Sequence, residues 1–185
     1  VFAYENLRTL LKSGVTYIRE CGTTYDIDIK LKRLQRQGKL PQTPHMMASG
    51  RAFSMTGGHG DGPHAAYLVD SQDEMRKAVR TAFKGGAECI KVMATGGVMT
   101  PNDFMEDPQL STAEIAVAVE EAHHKRRIVA AHAEGNPGIQ NALNAGVDSI
   151  EHGFYVNSDE AHQMVEQGTY LTPTLVAEAA VANQG

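Results

Sequence analysis

An α/β fold built on a parallel sheet is what this 185-residue sequence predicts. Three observations carry that reading. Apolar periodicity switches repeatedly between the helical and the strand pattern, a glycine stands near the end of most helical stretches, and ionisable residues gather where strand stretches stop. Strands that alternate with helices across short turns require helical crossovers, which excludes a sandwich or a bundle.

The pattern over 2–13 is an amphipathic helix closed by Gly14, followed by a β-branched strand over 15–19 and a loop at Cys21, Gly22 and Thr23. Residues 26–37 form a second, charged helix, ended by Gly38 and Pro41. A second strand spans 45–49, with a possible extension to 54, and runs into the glycine-rich segment 56–62 that holds His59. Asp70 or Ser71 caps a third helix, with Glu74 in its first turn, and that helix runs to Lys84 before Gly85 and Gly86. The strand 89–94 opens into Thr95-Gly96-Gly97. A capping box at Ser111-Thr112-Ala113-Glu114 then starts a helix that reaches Lys125. The strand 128–131 ends at His132, the helix 137–144 stops at Gly146, and the strand 148–151 ends at His152 and Gly153. A helix over 159–166, Gly168 and a strand over 170–172 repeat the unit once more.

With 42% hydrophobic and 21% charged residues, 1–185 has the composition of one globular domain with a sizeable core. Seventeen Lys and Arg against 22 Asp and Glu leave a net charge of −5, so there is no basic surplus for phosphates or anionic lipid. Neither nucleic acid nor membrane is an expected partner. The longest apolar run, 176–181, is broken by Glu178 and falls far short of the roughly 20 residues of a membrane span. Cys21 and Cys89 lie in strand-like segments without paired spacing and read as reduced core thiols, and a cytoplasmic location is slightly favoured. Met46, Met47, Met93 and Met99 read as packing residues. The sequence starts at Val1 inside a helical pattern without a cap or a signal-peptide pattern, and so reads as an excerpt.

A doubly wound sheet would carry a G-x-G-x-x-G turn into a helix, and neither glycine-rich loop has one. A barrel instead collects functional groups at the C-terminal ends of its strands, where Lys91, His132, His152 and the His59 loop fall. A barrel is therefore expected, although a complete one takes about 250 residues. Strand alternation puts Lys91 and Met93 on one face and Ile90 and Val92 on the other. An ammonium in a confined interior is costly unless it is deprotonated, paired or chemically changed. A lysine that snorkels to the mouth or forms a structural ion pair is the alternative. His132 and His152 close consecutive strands 20 positions apart, so adjacent strands bring the two imidazoles together. Such a pair suits a divalent metal at roughly 2.0–2.1 Å; two hydrogen-bonded histidines orienting a loop is the other reading.

Lys91 in Ile90-Lys91-Val92-Met93-Ala94-Thr95-Gly96-Gly97, His132 in Ala130-Ala131-His132-Ala133 and His152 in Ser149-Ile150-Glu151-His152-Gly153 resemble the metal-dependent amidohydrolase superfamily. The likeness is to its branch of Xaa-Pro dipeptidases, related carboxypeptidases and imidazolonepropionase-like enzymes, and it extends to Thr56-Gly57-Gly58-His59-Gly60-Asp61 and Leu171-Thr172-Pro173-Thr174-Leu175. The resemblance implies a distorted TIM-like (β/α)8 barrel, incomplete here, with 1–185 as its central part and strands two to seven present. It implies that carbon dioxide carboxylates Lys91 to a carbamate bridging two zinc ions, that His132 and His152 bind the second ion, and that a metal-bridging hydroxide is the nucleophile. The implied reaction is hydrolysis of a peptide-like C–N bond in a small substrate such as a dipeptide ending in proline, with His59 and Tyr155 as substrate contacts. The family's His-x-His on strand one and aspartate on strand eight are not found in this sequence, so a complete active site is not expected from these residues alone.

Glu151 is expected to face the helices, and His64, His123, His124 and His162 to be solvated. Two other readings stand beside the hydrolase. One is an aldolase-like barrel in which Lys91 forms a Schiff base. The other is a non-catalytic, truncated barrel whose strand edges near Val15 and Tyr170 are covered by a partner or by self-association into a homo-oligomer.

Overall fold

The computed structural model describes residues 2–98 and 102–182; Met99 lies outside them. The chain runs α1 (Phe2–Lys12), β1 (Tyr17–Arg19), α2 (Ile27–Arg36), β2 (His45–Met47), β3 (Ala52–Ser54), β4 (Ala66–Leu68), α3 (Gln72–Gly85) and β5 (Ile90–Met93). It continues through α4 (Thr112–His123), β6 (Val129–Ala133), α5 (Asn136–Ala145), β7 (Ser149–His152), α6 (Ser158–Gln167), β8 (Tyr170–Thr172) and α7 (Leu175–Ala182). β4, β3, β5, β6, β7 and β8 lie side by side in that order, all parallel, and β1 pairs with β2 in a separate parallel ribbon.

Alternation sorts the side chains of the sheet. Ile90, Val92, Val129, Ala131 and Ile150 point to one face and pack into a single core with Met75, Val79, Ile115, Ala118, Ile139 and Leu143 of the helices. The register pairs Lys91 with Ala130, Met93 with His132, and His132 with Glu151, so the opposite face carries the ionisable groups. Met46 is buried; Met47 and Met93 are half-buried. Two helix starts follow the expected signals: Ser71 Oγ accepts from the Glu74 N–H, and Ser111 and Glu114 form a reciprocal capping box.

The chain departs from the expected pattern in three places. What reads as one strand over 45–54 is two, because the buried Asp28 carboxylate accepts the N–H groups of both Ser49 and Gly50 at 2.8 Å. Gly50 there adopts φ +69, a left-handed conformation that glycine takes without steric penalty, and the strand breaks between the ribbon and the larger sheet. β4 and α7 also form where no element was expected; β4 has only three residues, too few for a periodicity to show. Among the described residues no helix is long and apolar enough to cross a membrane.

Helices α3 and α4 are tied by Glu121, whose carboxylate accepts from Arg80 at 2.8 Å and also bonds Arg76. The two guanidinium groups, rather than the core, cover it. Hydrogen bonds from Arg80 and then Arg76 outweigh desolvation and hold Glu121 at about 2. Because the folded-state pKa is depressed, the stabilisation is complete above the usual glutamate range and is lost as pH falls from there through about 2. Glu121→Gln should therefore lower the stability at neutral pH by about 1 kcal/mol after solvent screening, and the difference in melting temperature from wild type should close in melts run towards pH 2.

Candidate metal centre

Lys91 sits mid-strand in β5 with 3% of its surface exposed. Burial dominates its titration and pushes the amine down to about 8, against the opposing pull of Cys21 and Glu151. One step up the neighbouring strand, His132 is buried on the same face, and its Nε2 lies 2.7 Å from the Gly96 carbonyl oxygen. A carbonyl only accepts, so Nε2 carries the proton and Nδ1 keeps its lone pair. Burial first, then the charges of Lys91 and His59, hold His132 well below the usual imidazole range.

His152 arrives by a different route. Strand alternation puts Ile150 in the core and would send His152 the same way. His152 instead adopts φ +74 and Gly153 φ +61, and this left-handed turn brings the His152 ring to 4.8 Å from that of His132, at 68°. Its Nδ1 lies 2.7 Å from Thr174 Oγ1. Burial, followed by Lys91, pushes His152 down to about 4. Both rings are thus neutral near pH 7, the state in which imidazole binds metal, and each is fixed through one nitrogen by an outer partner. That arrangement is what a metal-ligating histidine requires.

Glu151 corrects an expectation. It faces the interior, not the helices, because its register partner is the inward His132, and it bonds Arg19 Nη2 at 2.7 Å and Ser149 Oγ at 2.6 Å. Arg19 also donates to Cys21 Sγ, so the floor beneath Lys91 is a hydrogen-bonded layer of Arg19, Glu151, Ser149 and Cys21. Cys21 and Cys89 are free thiols, the latter pushed up to about 12, chiefly by burial.

His59 is held against the centre. Its ring stacks on His132 with centroids 4.3 Å apart and planes at 9°. Its Nδ1 lies 2.7 Å from Asp103 Oδ2, and its backbone N–H donates to Gln109 Oε1 at 2.8 Å. Asp103 in turn accepts from Gln109 Nε2 at 2.6 Å and from the Gly97 N–H at 3.1 Å. This close packing explains the paired glycines after β5. A β-carbon at Gly97 would sit 2.4 Å from His59 Cε1, and one at Gly96 would sit 2.3 Å from Asp103 Oδ1. Tyr155, by contrast, is 46% exposed, and its link to the centre is a backbone N–H donated to the Glu134 carbonyl at 3.1 Å.

Glu134 is the residue that the sequence reading missed. Two positions beyond His132 and just past the end of β6, it is buried. One ring nitrogen from each of His132 and His152 and one carboxylate oxygen of Glu134 lie within 4.8 Å of one another. A glutamate two positions after His132, at the end of a buried strand, was the signal available. The donors present, two neutral imidazoles and a carboxylate beside a deprotonatable amine, fit a divalent metal ion.

The sequence matches the amidohydrolase family over residues 2–184. The chain belongs to the amidohydrolase family. It is 37% identical to the ochratoxinase of Aspergillus niger over 166 residues, which is 77% of this chain and 35% of that protein. A Xaa-Pro dipeptidase crystallised with methionine in its active site superposes with a TM-score of 0.92 at 34% identity, over 98% of this chain and 48% of that one. A prolidase complexed with N-methylphosphonate-L-proline gives 0.90 at 34% identity, over 99% and 48%. The chain thus spans about half the length of these solved amidohydrolases, and its sheet is part of their TIM-type barrel.

Gly97→Ala should displace the His59 ring from His132, shifting the His59 imidazole resonances in NMR spectra and destabilising the fold by about 1–3 kcal/mol. Gly85→Ala, where an added β-carbon at the end of α3 meets nothing within 4 Å, should instead leave stability unchanged or raise it by up to about 1 kcal/mol.

Proposed function

We propose that these residues form the lysine and second-metal portion of a binuclear zinc centre in a dipeptidase that cleaves a peptide-like C–N bond, with Xaa-Pro dipeptides as the substrate class. The observation that carries this reading is that Lys91 and His132 share one face of adjacent strands and that the His152 ring is turned to 4.8 Å from that of His132. Membership of the amidohydrolase family and the likeness to a Xaa-Pro dipeptidase and a prolidase support the amide-hydrolase chemistry.

In this reading Lys91 acts as an anion. Its neutral amine attacks carbon dioxide, a C–N bond forms, one C=O electron pair moves to oxygen, and the nitrogen releases a proton to give a carbamate. Burial favours that outcome, because it lowers the amine to about 8 and makes the neutral nucleophile available near physiological pH. The resulting oxygen donors replace an uncompensated ammonium with a ligand able to bridge two cations. His132 and His152 would hold the second ion, oriented by the Gly96 carbonyl and the Thr174 hydroxyl. When bound, zinc ions polarise the scissile carbonyl and bring the pKa of water towards neutrality, so that hydroxide is available as the nucleophile. His59, immobilised by Asp103 and stacked on His132, lies where it would contact the substrate, and Tyr155 would contribute a hydrogen bond from the rim.

In the complete enzyme, Lys91→Ala should lower the zinc content measured by atomic emission and abolish Xaa-Pro dipeptide turnover, with partial rescue by added short carboxylic acids; normal turnover in this variant would refute the assignment. In metal-free protein supplied with isotopically labelled bicarbonate, a carbamate resonance should appear above about pH 8 and fade below it as the amine protonates. Its persistence in Lys91→Ala would show that another amine carries it.

A further inference from the structure

We propose that the Glu134 carboxylate is a further protein ligand of the ion held by His132 and His152. The inference rests on the metal reading above and extends it to a residue outside the lysine and histidine set.

The geometry is specific to this position. Glu134 follows His132 by two positions, one residue past the end of β6, and it is buried with its carboxylate turned towards the two imidazoles. Both backbone groups of Glu134 are anchored. Its N–H donates to Thr95 Oγ1 at 3.1 Å, and its carbonyl accepts from the Tyr155 N–H at 3.1 Å. The Thr95 hydroxyl donates to the Gly96 carbonyl, the same oxygen that receives His132 Nε2–H, so one small network sets the positions of His132 and Glu134 together. Glu134 Oε2 stands 3.9 Å from His132 Nε2.

The donor atoms of the three residues lie within 4.8 Å of one another. Tetrahedral ligands that share an ion at about 2.1 Å each stand about 3.4 Å apart, so the set closes through side-chain shifts on the order of 1 Å. Charge argues in the same direction. Two imidazoles leave a divalent ion with its full charge inside a buried site, whereas a carboxylate halves it and a carbamate at Lys91 completes the compensation. Two histidines and a glutamate also leave coordination positions open, as a catalytic rather than a structural site requires.

The test is titration of the 185-residue chain with Co2+ in bicarbonate buffer, read by calorimetry and by the visible absorption of the bound ion. Glu134→Gln keeps the shape of the side chain and removes its charge; it should weaken Co2+ binding by roughly tenfold or more and alter the visible bands, with unchanged circular dichroism. Glu134→Asp, which keeps the charge but withdraws the oxygen by one methylene, should bind with intermediate affinity. If Glu134→Gln binds within about twofold of wild type with the same spectrum while His152→Asn loses the ion, Glu134 is no ligand and the histidine site stands. If the wild-type chain takes up no Co2+, this inference and the metal reading fall together.

Discussion

A lysine amine enclosed in the middle of a parallel sheet is the constraint on which the rest of this centre depends. Desolvation disfavours its cationic form, and nearby groups of opposite tendency, Cys21 and Glu151 pulling up and Arg19 pushing down, do not cancel that effect. A nitrogen of this kind is more useful as a nucleophile or a modified ligand than as a salt-bridge partner. The neighbouring imidazoles feel the same field. His132 and His152 are kept neutral chiefly by burial, so the feature that destabilises an ammonium also prepares two metal ligands.

Around this centre the protein invests in rigidity. The Gly96 carbonyl and the Thr174 hydroxyl select the free nitrogen of each histidine, and Asp103, Gln109 and Gly97 clamp His59 over the ring of His132. Two loops from different strand ends thereby become one wall. The paired glycines after β5 serve close approach: both would collide with Asp103 or His59 if they carried side chains. Likewise the left-handed turn at His152 and Gly153 is a local conformational cost that repositions a side chain which regular alternation would have buried among helices.

Much of the fold was legible in the sequence because helix signals are local. Ser71, Ser111, Gly86, Gly146 and Gly168 mark boundaries through hydrogen bonds and backbone angles that involve residues only a few positions away. The three buried strands at the centre of the sheet were legible for a similar reason, since each holds alternating or continuous apolar residues. The break within 45–54 was not, because it depends on Asp28, more than twenty residues earlier, turning its carboxylate onto two backbone amides. Nor was the direction of Glu151, since counting back from His152 assumes a regular strand where the chain in fact turns left-handed.

For the candidate site, the sequence by itself determined the chemistry on offer: a lysine within an apolar strand and histidines closing the next two. It did so because residue type and a period of two suffice to put such groups at strand ends. Only the tertiary structure decided which groups share a volume. Strand register set Lys91, His132 and Glu151 side by side, loop packing brought His59 onto His132, and burial gathered Glu134 into the same cluster. Those placements arise from contacts between segments tens of residues apart, and the dielectric environment that shifts their titration exists only once the helices have sealed the outer face of the sheet.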